Sequence, residues 1–360
     1  MTGPEHPSRP GPPPGLQPDP EPVPPRLGDP GDEDQPTRRQ DSPHLTPTPG
    51  VSDAPRSLRA RLVTALSRRI ARPGLARQRD PQAARTAFLR TARWLTRDPR
   101  GAVFREVPGG LGGRPALWAS VPPRDAAGTI LYLHGGAFVM GSPRTHRAMA
   151  ARLAAAAGMA AVLPDYRLAP EHPFPAAVED ALAAYSALLR AGHSPNRLLL
   201  AGDSAGGGLA LSVLAEAARL GLPRPAGLVA FSPFADLSRS GLSWTLNAAS
   251  DALLPAERGA EVPALWLQGA APRHPHASPL FADWSETPPP VLLFASRTEV
   301  LCDDALRMAA RLRAAGGRAE ARIMGDLPHV WPWLSPWLPE ANQTLAEAGA
   351  FLAACAVANR

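Results

Sequence analysis

Ser204 stands in the pentapeptide Gly202-Asp203-Ser204-Ala205-Gly206, between the apolar run LLLAG and an alanine-rich amphipathic run that reaches Leu220. This is the pattern G-x-S-x-G. A serine placed between a strand end and a helix start sits on a very tight turn. Glycines two positions away relieve the collisions that side chains would make there. The turn then presents one hydroxyl at the carboxyl end of a sheet, on the positive end of the following helix. That is the position of a nucleophile. A glycine-rich strand–helix turn can also cradle phosphate. The chain contains no lysine, so the P-loop version of that alternative is excluded.

A second motif, LHGGAFVMGS, begins one residue before His134 and lies 70 residues upstream of Ser204. Attack on an ester carbonyl leaves negative charge on oxygen, and preorganised backbone N–H groups stabilise it. Small residues let the backbone come close. Gly136 and Ala137 are candidate donors, with Ala205 as the third. A serine also needs a base, and the base needs orienting. Of the nine histidines, His329 in GDLPHVWPW follows the last strand-like run, where a late loop can reach the nucleophile. His134 belongs to the glycine turn and reads as a structural residue. His146 starts a helix and is placed to line the pocket. His172, His193, His274 and His276 fall in polar loops, where a solvated ring is the default. For the acid, SRTEVLCDDALRM offers Glu299, Asp303 and Asp304. Glu299 follows its strand directly. Asp303, the second choice, and Asp304 sit where a helix start favours acids anyway. The order Ser, acid, His is that of an α/β-hydrolase triad.

These residues need a frame of strands and helices. Ala102–Pro123 reads as two strands around glycine-rich turns. GTILYLHGG, MAAVLPDYRLAP, RLLLAG, AGLVAFSP, PPVLLFAS and RAEARIMG read as further strands. Between them lie helical runs, one stopped at Gly158, one at Gly192, and a last one from about Pro339 to Ala358. Continuous apolar strands alternating with helices predict an α/β fold: a doubly wound, mostly parallel sheet with both faces covered. From Asp236 to about Thr287 the alternation breaks, which predicts an insertion over the sheet edge.

Residues 1–55 hold 17 of the 45 prolines and few aliphatics. Such a segment cannot offset its ordering entropy, and it reads as a disordered tail. No signal-peptide pattern and no spanning segment is visible. Two cysteines, Cys302 and Cys355, argue against a disulfide framework and for a reducing, cytoplasmic location. The formal charge of +6 rests on arginine alone. With the alanine richness this indicates compositional bias, and nucleic acid is not expected as a partner. Arg56–Asp80 is the densest basic stretch, with Leu58, Leu62, Leu66 and Ile70 at helical spacing. The preferred reading is a cap helix whose arginines face water. A basic amphipathic helix on a membrane surface is the alternative, which leaves peripheral membrane contact open. No metal-ligand spacing occurs, and no metal or cofactor is expected.

The segments HGGAF, DYRLAPEHPFPAAVED, GDSAGGGLA, SPLFAD and LPHVW together resemble the hormone-sensitive-lipase-type branch of α/β-hydrolases, bacterial carboxylesterases and lipases, from about residue 80 onward. The resemblance implies an α/β-hydrolase fold with an N-terminal helical cap. It implies Ser204 as nucleophile, His329 as base, Glu299 as acid, and oxyanion donors at Gly136, Ala137 and Ala205. Two departures stand out: Ala137 replaces the family's third glycine, and glutamate stands where aspartate is common. Asp165, Tyr166 and Arg167 match the family's D-Y-R segment, and they are read as fixing their loop. The organisation expected is a tail over 1–55, a basic helical cap over 56–100 and a catalytic domain over 101–360. The expected substrate is a small-molecule carboxylic ester, with deacetylation or lactone opening on the same triad, or a non-catalytic receptor, as alternatives.

Overall fold

The computed structural model describes residues 56–123 and 127–358. The expected tail over 1–55 lies outside the described residues. Among the described residues, eight strands make one sheet: β1 Val103–Glu106, β2 Ala116–Ser120, β3 Thr129–Leu133, β4 Ala160–Pro164, β5 Leu198–Asp203, β6 Gly227–Phe231, β7 Val291–Ser296 and β8 Ala319–Met324. Their spatial order is β1-β2-β4-β3-β5-β6-β7-β8. The β1–β2 and β2–β4 pairs are antiparallel, and every pair from β4 to β8 is parallel. The helices are α1 Leu58–Leu66, α2 Arg72–Arg77, α3 Pro81–Leu95, α4 Pro143–Ala157, α5 Ala176–Arg190, α6 Ala205–Arg219, α7 Ser243–Leu246, α8 Glu261–Leu267, α9 Cys302–Ala314 and α10 Pro339–Ala358. A π-helical turn, Ser67–Ala71, joins α1 to α2.

Alternate strand residues enter opposite cores. Leu131, Leu133 and Leu200 pack with residues of α5, α6 and α9, while Ile130, Tyr132 and Leu199 pack with residues of α4 and α10. Because both faces are covered, β3 to β7 read as unbroken apolar runs. β8 is an edge strand and alternates instead, with Ala319, Ala321 and Ile323 buried. Local signals set the helix ends. Ser142 and Thr145 form a capping box at the start of α4, Pro143 holds its first position, and Gly158 ends it at φ 68°.

Two expectations need correction. The segment between β6 and β7 does not lie over the sheet edge. β6 is an interior strand, so the chain leaving it crosses the carboxyl ends of the strands, where Trp266 stacks on Phe138 from the turn after β3. The apolar stripe of α1 also points the opposite way from a cap helix with its leucines inward. Ala60 and Thr64 are the buried residues of α1, and the leucines face solvent.

Candidate active site

The site is built from the carboxyl ends of the central strands. β5 runs into α6 with no loop, and Ser204 takes the turn at φ 52° and ψ −123°. A side chain at Gly206 would strike the carbonyls of Leu133 and His134, and one at Gly202 would strike that of Gly206. Only glycine permits this close approach, which is the physical content of the G-x-S-x-G spacing. The turn is tied down by its backbone. Ser204 N–H donates to Phe231 O at 2.8 Å, and the Ser204 carbonyl accepts from Phe234 and Gly208 at 3.0 Å each.

Ser204 Oγ lies 2.9 Å from His329 Nε2, and His329 Nδ1 lies 2.6 Å from Glu299 Oε2. Three residues, from the β5–α6 turn and from the segments after β7 and β8, thus form one hydrogen-bonded chain. The other Glu299 oxygen accepts from Ser296 N–H at 2.7 Å, which seats the carboxylate at the end of β7. Burial works against the His329 imidazolium. The hydrogen bond and charge of Glu299, with Asp251 and Asp203 beyond it, outweigh burial and raise its pKa above 6.5. Asp303 does not reach the histidine. It accepts from Ser243 N–H at 3.0 Å, at the first residue of α7. The expected capping role is also absent for it. Asp303 lies within the first turn of α9, where no side chain caps the helix. Asp304 instead accepts from Ala235 and Asp236 N–H at 2.8 and 2.9 Å.

After β3 the chain makes a tight turn, with Gly136 at φ 125°, Ala137 at 56° and Phe138 at 60°. A side chain at Gly136 would meet the Met140 carbonyl. Ala137 holds a left-handed conformation that glycine adopts freely, so its methyl adds strain but leaves the N–H in place. Among the described residues, the N–H groups of Gly136 and Ala137 have no acceptor. Ala205 is the first residue of α6, and its N–H is one that an α-helix leaves unpaired. Behind this turn, Asp203 accepts from Gly135 N–H at 3.1 Å and Tyr132 O–H at 2.8 Å, and faces His146 Nε2 at 3.3 Å. Burial opposes its charge, but the His146 and Tyr132 contacts lower its pKa overall.

A family model described as alpha/beta hydrolase fold matches residues 130–332. The chain belongs to the α/β-hydrolase family. A solved esterase from the bacterial hormone-sensitive lipase family superposes on this hydrolase with a TM-score of 0.78 at 38% identity, over 83% of this chain and 99% of that one. EstE5, a structure soaked with p-nitrophenyl butyrate, gives 0.79 at 37% identity, over 84% and 99%. Among sequences, an acetyl-hydrolase from Streptomyces hygroscopicus is 44% identical over 64% of this chain and 77% of its own length. The putative acetyl-hydrolase LipR of Mycobacterium tuberculosis is 36% identical over 78% and 90%. Within the family, the chain is a hormone-sensitive-lipase-type bacterial carboxylesterase.

In this hydrolase the cleft at Ser204 has apolar walls from Phe234, Trp244, Leu254, Val262, Leu265 and Leu301, and Leu75 to Ala84 contribute its outer side. Its rim carries the ion pairs Arg79–Glu261 and Arg258–Glu261. Several expected roles move. His146 is buried behind the turn that follows β3 and does not line the cleft. His276 is no solvated loop residue; its Nε2 lies 2.6 Å from buried Glu216. Tyr166 and Arg167 do hold their loop: Tyr166 O–H donates to His134 O at 2.5 Å, and Arg167 forks onto Asp180 at 2.8 to 3.0 Å. Sequence reasoning missed Asp251, Asn247 and Arg85. Asp251 accepts from Val300 N–H at 2.9 Å, and Asn247 donates to Glu299 O at 2.8 Å. Arg85 of α3 donates to Val139 O and Ala169 O, at 2.8 Å each. All three act on backbone far away in sequence, and no spacing rule marks such contacts.

Proposed function

We propose that the chain hydrolyses small-molecule carboxylic esters through an acyl-enzyme, with Ser204 as nucleophile, His329 as general base and acid, and Glu299 as the orienting carboxylate. The observation that carries this reading is the continuous chain Ser204 Oγ, His329 Nε2, His329 Nδ1, Glu299 Oε2 at 2.9 and 2.6 Å, opening on an apolar cleft. Ser204 attacks the carbonyl while its proton passes to His329 Nε2. The oxyanion meets the N–H groups of Gly136, Ala137 and Ala205. His329 then gives the proton to the leaving alcohol. Water enters, loses a proton to the same nitrogen and attacks the acyl carbon; the bond to Ser204 Oγ breaks, His329 returns the proton to that oxygen, and the acid leaves. Residues 56–100 form a cap and 101–360 the catalytic domain, with the cap supplying Leu75 to Ala84 of the cleft. Cys302 and Cys355 are both buried and form no disulfide with each other, which fits a reducing cytoplasm.

A non-catalytic receptor needs no proton path from serine to carboxylate, so the geometry favours the enzyme. The acetyl-hydrolase relatives favour a short acyl group, including deacetylation of a metabolite. Turnover of p-nitrophenyl esters of graded chain length tests the reading, with Ser204→Ala as control. A loss of order 10⁴-fold or more is expected in the variant. Unchanged hydrolysis by Ser204→Ala, or a fluorophosphonate label on another serine, overturns it.

A further inference from the structure

The helix that enters the cap wears its apolar residues on the outside. Leu58, Leu62, Leu66 and Ile70 are 80, 61, 47 and 67% exposed, although each is large and apolar. Through α1, successive members step only about 40° around the axis and form one stripe. The π-helical turn Ser67–Ala71 then widens the helix by a residue and keeps Ile70 in register with them. The inner face is small, Ala60 and Thr64, and it is held by ties at the first turn: Arg56 to Asp326, and Ser57 to Glu340 at 2.7 Å. The stripe is therefore not a core face that slipped. The domain contacts the other side of the helix and leaves this side uncovered among the described residues.

The flanks give the charge of what covers it. Arg56 to Arg79 contains eight arginines and no acid. Arg56 and Arg68 reach Asp326, Arg72 reaches Glu257 and Arg79 reaches Glu261. Arg61, Arg69 and Arg77 make no ion pair among the described residues, and Arg59 reaches only the Trp337 carbonyl at 3.5 Å. Arg59 lies on one side of the stripe and Arg61 on the other. A second copy of this chain fits poorly, because a two-fold pairing would set these arginines against their own copies with no acid in the segment to neutralise them.

We propose that α1 and the π-helical turn dock this protein on an anionic lipid surface. The stripe enters the acyl boundary and the arginines spread to the headgroups, their stems covering apolar surface on the way. The same helix continues through α2 into Leu75 to Arg79 at the cleft, roughly 8 Å along the axis from Ile70 to Leu75. Docking would thus set the cleft's outer side near the lipid.

The test is sedimentation of the full chain with vesicles of phosphatidylcholine alone, or of phosphatidylcholine and phosphatidylglycerol in equal parts. Binding is expected to the anionic vesicles, weakened by salt. Leu62→Glu/Ile70→Glu and, separately, Arg61→Gln/Arg69→Gln should each weaken it about tenfold or more. Both variants should keep the melting temperature and the hydrolysis of a soluble short-chain ester. No sedimentation with either vesicle, equal binding to neutral vesicles, or full binding by both variants overturns the proposal. So does light scattering that shows a dimer converted to monomer by Leu62→Glu/Ile70→Glu, because a second copy would then be the occupant.

Discussion

In the proposed mechanism, His329 is neutral when it takes the Ser204 proton and cationic when it returns one to a leaving group. Glu299 assists the second state at the expense of the first. Burial disfavours the cation, Glu299 outweighs burial, and the resting pKa lies above 6.5. Under the proposed mechanism kcat/KM therefore falls as pH drops through a value above 6.5, since protonated His329 cannot act as base. In Glu299→Gln the limb should move to lower pH, and kcat should fall by roughly 10⁴-fold, because the ring loses its charge partner and its fixed tautomer. Asp303→Asn should leave kcat within about tenfold, since the Asp303 bond goes to Ser243 N–H, which an asparagine oxygen can still accept. A pH–rate profile of all three proteins decides the matter. Turnover lost in Asp303→Asn and kept in Glu299→Gln would transfer the acid role. The sequence favoured Glu299 but kept Asp303 as second choice because the two are only four residues apart; in the structure Glu299 is seated by Ser296 N–H and faces His329, while Asp303 turns to Ser243.

At the scale of elements, what was legible was what local chemistry determines. Gly158 and Gly192 announced the ends of α4 and α5, and the apolar runs announced β3 to β7. The elbow and the late histidine loop followed from strand-to-helix order. What was not legible was where elements come to rest. Nothing in Asp236–Thr287 states that it will cross the strand ends, because that depends on β6 being interior. Nor does the helical spacing of Leu58 to Ile70 state which face meets the protein. Helix α3 is a third such case, and it carries a prediction. Arg85 binds Glu171 and the carbonyls of Val139 and Ala169, joining α3 to the turn after β3 and to the loop after β4. Arg85→Met keeps the stem but leaves those carbonyls without their charged donor, at a cost of roughly 2 kcal/mol. The melting temperature should drop by a few degrees. kcat should fall more than KM rises, because the proposed donors at Gly136 and Ala137 lose their rigid support. A variant with a lower melting temperature and unchanged kcat would show that the clamp serves the fold alone.

For the whole molecule, the same groups that hold the site make stability depend on pH, in opposing directions. Asp203, Glu216 and Asp236 have depressed pKa values, so what they contribute is present above the unfolded carboxylate range and is lost as pH falls through their folded values. Burial raises Asp251 and Asp304, which therefore favour the fold more as pH falls toward the carboxylate range. His329, raised, stabilises below 6.5 and loses that contribution as pH rises through its folded value. His134 adds a further case. Burial, helped by His146, lowers it to about 3, against the opposing Gly135 carbonyl. The ring is stacked on Tyr166 at 4.2 Å between centroids, and its Nε2 is buried with no partner among the described residues. The unfolded chain takes up this proton near pH 6.5 and the folded protein does not, so His134 costs stability progressively below 6.5. From about pH 6.5 to about 4 that amounts to at most about 3 kcal/mol. The net slope mixes all these groups, but the difference between wild type and His134→Gln isolates one. The variant should be less stable at neutral pH, because glutamine replaces the stacked ring. Its deficit should shrink steadily as pH falls below 6.5, because only the wild type has that proton to bind on unfolding. Calorimetric melting of both proteins across this range is the measurement, and parallel curves would mean that His134 is already charged in the fold.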